Sequence, residues 1–325
     1  MKAAFYTKYG PPDVLQIREV EKPTPKDNEV LIKTYAASVT MGDTELRGFT
    51  FPTWIWLPLR IMFGLTKPRR PIPGFYLSGE IQAVGKDVER FKKGDQIYGI
   101  TGLGMGAHAE YACVPEGEPI AIKPANMTFE EAAAVPLGLD ALHFLKKADV
   151  RGGEKVLVNG AGGGIGTVAV QLARHFGAEV TAVDSADKLD MLRAIGADHV
   201  VDYRREDFTK SGLTYDVIFD LTGISPFSRC IKSLTQSGRY ILANPRLLQI
   251  IRGIWTSATG SRRVIFEFAN PKPGDLDALR ELIEAGRIEA VVDRCFQLDQ
   301  IVEAHRYIES GRKQGNVVLS IDHDD

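Results

Sequence analysis

The chain is short of the features that would take it out of the class of soluble globular proteins. It has only three cysteines, Cys113, Cys230 and Cys295, far apart in 325 residues. Three scattered thiols build neither a disulfide framework nor a four-cysteine zinc lobe, so a reducing compartment is the natural reading. Neither sign of charge dominates: 40 Lys and Arg against 42 Asp and Glu leave a net charge of −2. Nothing in that balance favours a polyanion, and no nucleic-acid partner is expected. Long hydrophobic runs are also missing. The most apolar stretch, Phe51–Leu59, contains Pro52 and Pro58. It is far shorter than the ~20 residues of a membrane-spanning helix. No apolar leader or transit-type bias follows Met1, so a cytoplasmic location is expected, with no transmembrane segment.

What is present is a balanced α/β composition, 44% hydrophobic and 25% charged. The length suits two domains. The first part reads as strands and turns: Lys2–Thr7, Glu29–Ala36, Glu80–Gly85 and Gly94–Gly99, punctuated by Gly and Pro. Near residue 128 the pattern changes. Thr128-Phe129-Glu130-Glu131 fits a capping box, with a helix expected to run to Pro136 and a second over Leu139–Ala148. Strands and helices then alternate. Strands are expected over 155–159, 179–183, 199–203, 215–221 and 239–243. Helices are expected over 164–176, 187–195 and 226–235. Such alternation implies parallel βαβ units. Helices over 275–285 and 300–310 and a closing strand over 316–321 follow.

The most informative stretch is Val156-Leu157-Val158-Asn159-Gly160-Ala161-Gly162-Gly163-Gly164-Ile165-Gly166. It carries the G-x-G-x-x-G dinucleotide fingerprint as Ala161-x-Gly163-x-x-Gly166. Small residues permit the tight turn and a close backbone approach to a pyrophosphate, which then meets the helix amides. The context agrees. An apolar strand precedes the turn. Ile165, Val168, Ala169, Leu172, Ala173 and Phe176 follow at helical spacing. Asp184 ends the next strand eighteen residues past Gly166, where a ribose-binding acid belongs. The competing reading is a turn that only reverses the chain. Asp184 favours NAD, whereas Lys188 and Tyr203-Arg204 could surround a 2′-phosphate. Lys188 could equally be a solvated helix residue. The cofactor is therefore NADP(H) or NAD(H), with the choice open.

Several further segments resemble the medium-chain dehydrogenase/reductase superfamily. They are Pro71-Ile72-Pro73-Gly74 through Gly79, Val84-Gly85 through Phe91 to Gly94-Asp95, Ala109-Glu110-Tyr111, and His305 through Gly311 with Gly315–Leu319. The resemblance covers nearly the whole chain. It implies a GroES-like β-rich catalytic domain, residues 1–127 and 265–325, and a doubly wound Rossmann domain, residues 128–264, with the active cleft between them. The zinc alcohol dehydrogenases of that family carry a cysteine in the loop near Val39 and a G-H-E triplet near Gly74. Here the loop is Ser38-Val39-Thr40-Met41-Gly42-Asp43 and the triplet position reads Gly74-Phe75-Tyr76. Neither suits zinc. His108, Glu110 and Cys113 are too isolated to replace those ligands, so no metal is expected. The chain is similar to the zinc-independent quinone oxidoreductase branch.

That likeness implies hydride transfer to a quinone or an α,β-unsaturated carbonyl, a substrate electrophilic without a Lewis acid. Thr40 takes the place of an asparagine that faces the nicotinamide in relatives, with Asp43 following. Asp140 stands where relatives often have threonine, and it either tunes the nicotinamide surroundings or caps a helix. The candidate cofactor-binding set is Gly160, Ala161, Gly162, Gly163, Gly164, Ile165, Gly166, Asp184, Lys188, Tyr203, Thr222, Asn244 and Asn316. Asn244 either lies near the nicotinamide or is an ordinary turn residue. Phe49–Leu65 reads as an insertion: Trp54, Trp56 and Phe63 either wall the substrate pocket or belong to an apolar loop covering the domain or a subunit interface. Two other readings compete: a nucleotide-binding redox sensor or structural protein without turnover, and peripheral membrane attachment through Trp54–Leu65. A small-molecule substrate is the expected partner, and a homodimer is left open.

Overall fold

The computed structural model describes residues 1–323. The chain forms two compact units. One comprises Met1–Pro136, Lys272–Ala285 and the residues from Ala290 on; the other comprises Leu137–Pro271 and Gly286–Glu289.

The first unit is built on the strand Glu29–Val39, whose residues are nearly all buried. Among the described residues its sheet has seven strands. Their order is Val292–Gln297, Asn316–Ser320, Glu29–Val39, Tyr76–Val84, Gln96–Ile100 and Ile120–Ile122, with Tyr111–Pro115 also pairing with Glu29–Val39. Pairing is antiparallel except between Val292–Gln297 and Asn316–Ser320. That parallel pair needs a crossover, and the helix Ile301–Glu309 supplies it. Val30, Ile32, Leu77, Ile81, Ile97, Val317 and Leu319 form the core. Thr128 and Glu131 make the expected reciprocal cap on the helix Phe129–Ala134. That helix packs Ala133 and Ala134 on Ala36 and Val318.

The second unit is a six-stranded parallel sheet. Its order is His199–Asp202, Glu179–Asp184, Lys155–Asn159, Tyr215–Asp220, Leu234–Leu242 and Arg263–Ile265. Numbered in chain order this is 3-2-1-4-5-6, the dinucleotide-binding winding. Leu157, Val183, Ile218, Tyr240 and Leu242 fill its core.

Pro136 separates two helices as expected: Phe129–Ala134 ends before it, Gly138–Lys147 begins after it, and a 3₁₀ turn, Val135–Leu137, joins them. Two local expectations needed revision. Phe49–Leu65 is not a loop, because Thr53–Phe63 is helical despite Pro58. Proline forfeits one backbone bond there. Packing of Leu59 and Phe63 against Leu46, Phe49 and Met105 offsets it. The Arg239–Ala243 strand starts earlier, at Leu234, because its first residue pairs with Tyr215. The helix Leu247–Thr259 and the edge strand Arg263–Ile265 lie where no element was expected. No helix of the described residues is long and apolar enough to cross a membrane.

Candidate active site

In the parallel sheet, Lys155–Asn159 is the strand at which the winding reverses. Crevices for ligands open at the carboxyl ends of strands at that point. A cavity of about 490 Å³ lies there, lined by Asn159, Gly160, Val183, Asp184, Tyr203 and Thr222 among others. The glycine turn leaves the strand beside it. A Cβ on Gly166 would stand 2.5 Å from the carbonyl oxygens of Gly160 and Ala161, so only glycine lets the helix begin this close to the strand. The helix Gly164–His175 starts from Gly163 with no side chain capping it. Its first amides and the positive end of its dipole are thus left for an anionic group.

Asp184 is 8% exposed and holds the turn together. Its Oδ2 accepts from the Gly162 amide at 2.8 Å, and its Oδ1 accepts from the Ser185 amide at 2.8 Å. Lys188 Nζ lies 3.1 Å from Oδ1. Lys188 is as buried as its partner, so it is not a solvated helix residue. A Cβ on Gly162 would meet Lys188 Cδ at 2.4 Å and Asp184 Oδ2 at 2.9 Å. Any larger residue there would have to displace this ion pair. The pair itself is nearly neutral, with the exposed Tyr203 and Arg204 beside it, and Glu206 and Asp207 also line the cavity.

The other wall is organised by Asp220, which is fully buried. Its Oδ1 accepts from Asn159 Nδ2 (2.9 Å), Thr222 Oγ1 (2.7 Å) and the amides of Thr222 and Gly223. Its Oδ2 accepts from the Tyr240 hydroxyl at 2.9 Å. Burial and the adjacent Asp220 charge push the Tyr240 phenol far above its usual range, so it stays a donor. Asn159 also donates to Ser225 Oγ at 2.9 Å. Asn159, Asp220, Ser225 and Tyr240 were not among the sequence candidates. The signal for them was the acid that ends Val217-Ile218-Phe219-Asp220 and is followed by Leu-Thr-Gly, the chemistry of an Asx-type turn. Asn244 is exposed and donates to the Leu221 carbonyl at 2.9 Å, tying adjacent loops.

Asp140 lies in the first turn of Gly138–Lys147, in the same unit, and makes no capping bond. Burial pushes its carboxyl up to about 6, with His143 pulling the other way. The helix is close to the glycine-turn helix: a Cβ on Gly138 would stand 2.6 Å from Val168. Thr40, Asp43 and Asn316 belong to the β-rich unit. Asn316 is buried and donates through its side chain to Val291 O at 3.1 Å. Thr40 and Asp43 form a capping box on the helix Met41–Gly48. The Thr40 hydroxyl donates to Asp43 Oδ2 at 2.7 Å and accepts from the Asp43 amide at 3.2 Å.

Residues 26–124 match the alcohol dehydrogenase GroES-like domain and residues 195–319 the zinc-binding dehydrogenase domain. Across 98% of its length the chain is 33% identical to 2-methylene-furan-3-one reductase of Solanum lycopersicum, covering 79% of that protein. It is 30% identical, with the same coverage of each chain, to the chloroplastic NADPH-dependent alkenal/one oxidoreductase of Arabidopsis thaliana. The chain belongs to the medium-chain dehydrogenase/reductase superfamily. Its structure superposes on the quinone oxidoreductase of Coxiella burnetii with a TM-score of 0.88, at 29% identity and 99% coverage of both chains.

The superfamily implies a nicotinamide dinucleotide, and the residues fit one: an uncapped helix start, a glycine cradle and an acid at the end of the second strand. It also includes zinc enzymes, and here the residues do not fit. Among the described residues no group of three or more His, Cys, Asp or Glu side chains could hold a metal. His108 Nε2 is 2.9 Å from the Ser38 carbonyl, and Glu110 accepts from the Lys2 amide at 2.7 Å. Burial pushes the Cys113 thiol up to about 11, away from the thiolate that zinc needs.

Proposed function

We propose that this superfamily member reduces quinones or α,β-unsaturated carbonyls, using NADPH or NADH and no zinc. The observation that carries the reading is the crevice at the switch point, with its uncapped helix start and the buried Asp184–Lys188 pair beneath it. The substrate class is supported by the names of the relatives, a furanone reductase, an alkenal/one oxidoreductase and a quinone oxidoreductase. The zinc-free reading is supported by the loop Ser38–Asp43, which has no cysteine, and by Phe75 and Tyr76 where zinc relatives carry the His and Glu of a G-H-E triplet.

A bound dinucleotide would supply the hydride. Gly160–Gly166 would hold its pyrophosphate, and Asp184, Lys188 and Tyr203 would sort the ribose. Thr222, Asn244 and Asn316 complete the proposed cofactor set. Asp184 alone would repel a 2′-phosphate. Paired with Lys188 it presents little net charge, so both cofactors are admitted. The NADPH-dependent relative favours NADPH.

An oxygen that gains charge needs a donor. The Thr40 hydroxyl proton is committed to Asp43, so it reaches substrate only by exchanging that bond. Asp43 positions Thr40 rather than serving as an independent acid. Asp140 can hold a proton at its carboxyl up to about pH 6, which makes it the candidate group for tuning pH dependence. The reading expects a cytoplasmic enzyme and admits a homodimer.

The test follows NADH and NADPH oxidation by purified protein with a quinone and with an enone, with and without a chelator. Chelator-resistant turnover is the expected result. Cofactor binding without turnover across both substrate classes would replace the reductase with a nucleotide sensor. Activity abolished by the chelator would overturn the zinc-free reading.

A further inference from the structure

The helix Thr53–Phe63 inverts the usual surface pattern. Its sequence, TWIWLPLRIMF, has one charged residue. That residue, Arg60, is folded inward: its guanidinium carbon lies 4.0 Å from the Tyr9 ring centre, 4.1 Å from Phe49 and 5.0 Å from Trp56. Leu59 and Phe63 also pack inward. The Tyr9 hydroxyl sits 3.0 Å from the carbonyls of Phe63 and Gly64 and clasps the helix end. What remains for water is apolar. Leu57 is 56% exposed, Ile61 53%, Met62 50% and Leu65 61%, with Trp54 beside them. Residues 54, 57 and 61 recur at helical spacing and form one stripe, and Leu65 follows just past the Gly64 cap. No residue of this helix is buried, so the stripe is not part of a core.

Along the chain, the segment that carries the stripe has charges of one sign. From Leu46 to Gly79 the chain carries Arg47, Arg60, Lys67, Arg69 and Arg70 and no Asp or Glu. Lys67 and Arg69, just past the helix, are exposed and form no salt bridge among the described residues. A second copy packed stripe on stripe gains nothing from these cations, which a two-fold axis either brings together or leaves at opposite ends. An anionic surface attracts them. A short helix with a Trp-containing apolar face and a basic end, too short to span a bilayer, suits the plane of a lipid headgroup layer.

We propose that the helix Thr53–Phe63 docks the protein on anionic lipid surfaces, with Trp54, Leu57, Ile61 and Leu65 in the headgroup–acyl boundary and Lys67 and Arg69 on the headgroups. The proposal does not rest on the reductase reading. It is tested by cosedimentation of the full-length chain with vesicles of phosphatidylcholine, alone or with about a third phosphatidylglycerol. The chain is expected to partition into the mixed vesicles, and less at high salt. Leu57→Gln with Ile61→Gln is expected to cut partitioning on the order of tenfold. Lys67→Gln with Arg69→Gln should remove roughly fivefold per charge, in anionic vesicles only. In a Trp255→Phe background, emission from Trp54 and Trp56 should shift to the blue on vesicle addition. Unchanged thermal melting and dinucleotide binding show that each variant is folded. No partitioning by the parent, or partitioning unaltered by Leu57→Gln/Ile61→Gln, would overturn the proposal. So would a dimer, seen by ultracentrifugation, that those two substitutions split: a second copy would then be the occupant.

Discussion

The two units treat their buried polar groups in opposite ways. In the parallel-sheet unit, Asp220 and Asp184 are both buried, and each carboxylate oxygen has a named donor within about 3 Å. In the β-rich unit, a second buried polar group gathers Asp43, Arg47, His108 and His305, all at most 2% exposed. There the hydrogen bonding is partial. Asp43 Oδ1, Arg47 Nε and Nη1, His108 Nδ1 and both ring nitrogens of His305 have no partner among the described residues. Arg47 reaches Glu309 through one nitrogen only. Burial, with His108 and Arg47 nearby, holds His305 well below its ordinary range, so its ring is neutral at pH 7. The first arrangement fixes one geometry at the crevice. The second leaves polar atoms whose arrangement can change, at a cost in stability.

The sharpest way to break this contrast is to remove the acid that organises the first region. Asp220→Ala strips the partner from the Tyr240 hydroxyl, Asn159 and two backbone amides. Chemical denaturation should show a loss of roughly 3 kcal/mol or more. Dinucleotide affinity, read by calorimetry, should fall with it. A loss below about 1 kcal/mol would mean that the network is spectator packing.

Asp140 tests whether the parallel-sheet unit also stores an unfavourable charge. Its folded pKa of about 6 lies above the ordinary 3.8. The folded state therefore binds the proton more tightly than the unfolded state. Stability falls as pH rises between those two values and stays lowered above them. Asp140→Asn should raise stability by roughly 2 kcal/mol at pH 7.5, a figure reduced from the full shift because the side chain is partly exposed. It should do little at pH 4. Melting curves at both values check this, and loss of an inflection near pH 6 in the activity profile would tie the residue to turnover.

Legibility in the sequence tracks sequence separation. The glycine turn and Asp184 lie within one βαβ unit, and the Thr128–Glu131 cap spans one helical turn; such features are written in adjacent residues. The alternation of strands and helices fixed the parallel sheet for the same reason. What local pattern did not reveal depends on distant partners. Lys188 reads equally as a phosphate ligand or a solvated helix residue until the turn 26 positions earlier, at Gly162, is folded over it. His108 meets Ser38 across 70 residues, and Arg47 meets Glu309 across 262. Thr53–Phe63 was hidden by Pro58 and by apolar residues on every face, which erase helical periodicity.

Lys188 offers a subtler test of the proposed ribose site. Lys188→Ala leaves the backbone bonds to Asp184 in place but exposes an uncompensated carboxylate to a 2′-phosphate. NADPH should bind roughly tenfold more weakly, about 1.4 kcal/mol, while NADH changes little. Equal weakening of both would assign Lys188 to holding the turn instead of sorting the cofactor.

The smallest expected effect falls in the β-rich unit. Thr40→Val removes the hydroxyl that caps Met41–Gly48 and should cost about 1 kcal/mol of stability, whereas Thr40→Ser keeps the cap. If the hydroxyl only orders the helix, both variants should turn over at parental rates once folded. If it exchanges its Asp43 bond for a bond to the reacting oxygen, Val should lower kcat on the order of a hundredfold and Ser should restore most of it. Dinucleotide affinity should be unaltered in both cases, because the groups that organise the crevice, Asp184 and Asp220, are bonded entirely within their own unit. Steady-state kinetics of the two variants, beside direct binding, separates a residue that caps from one that also donates.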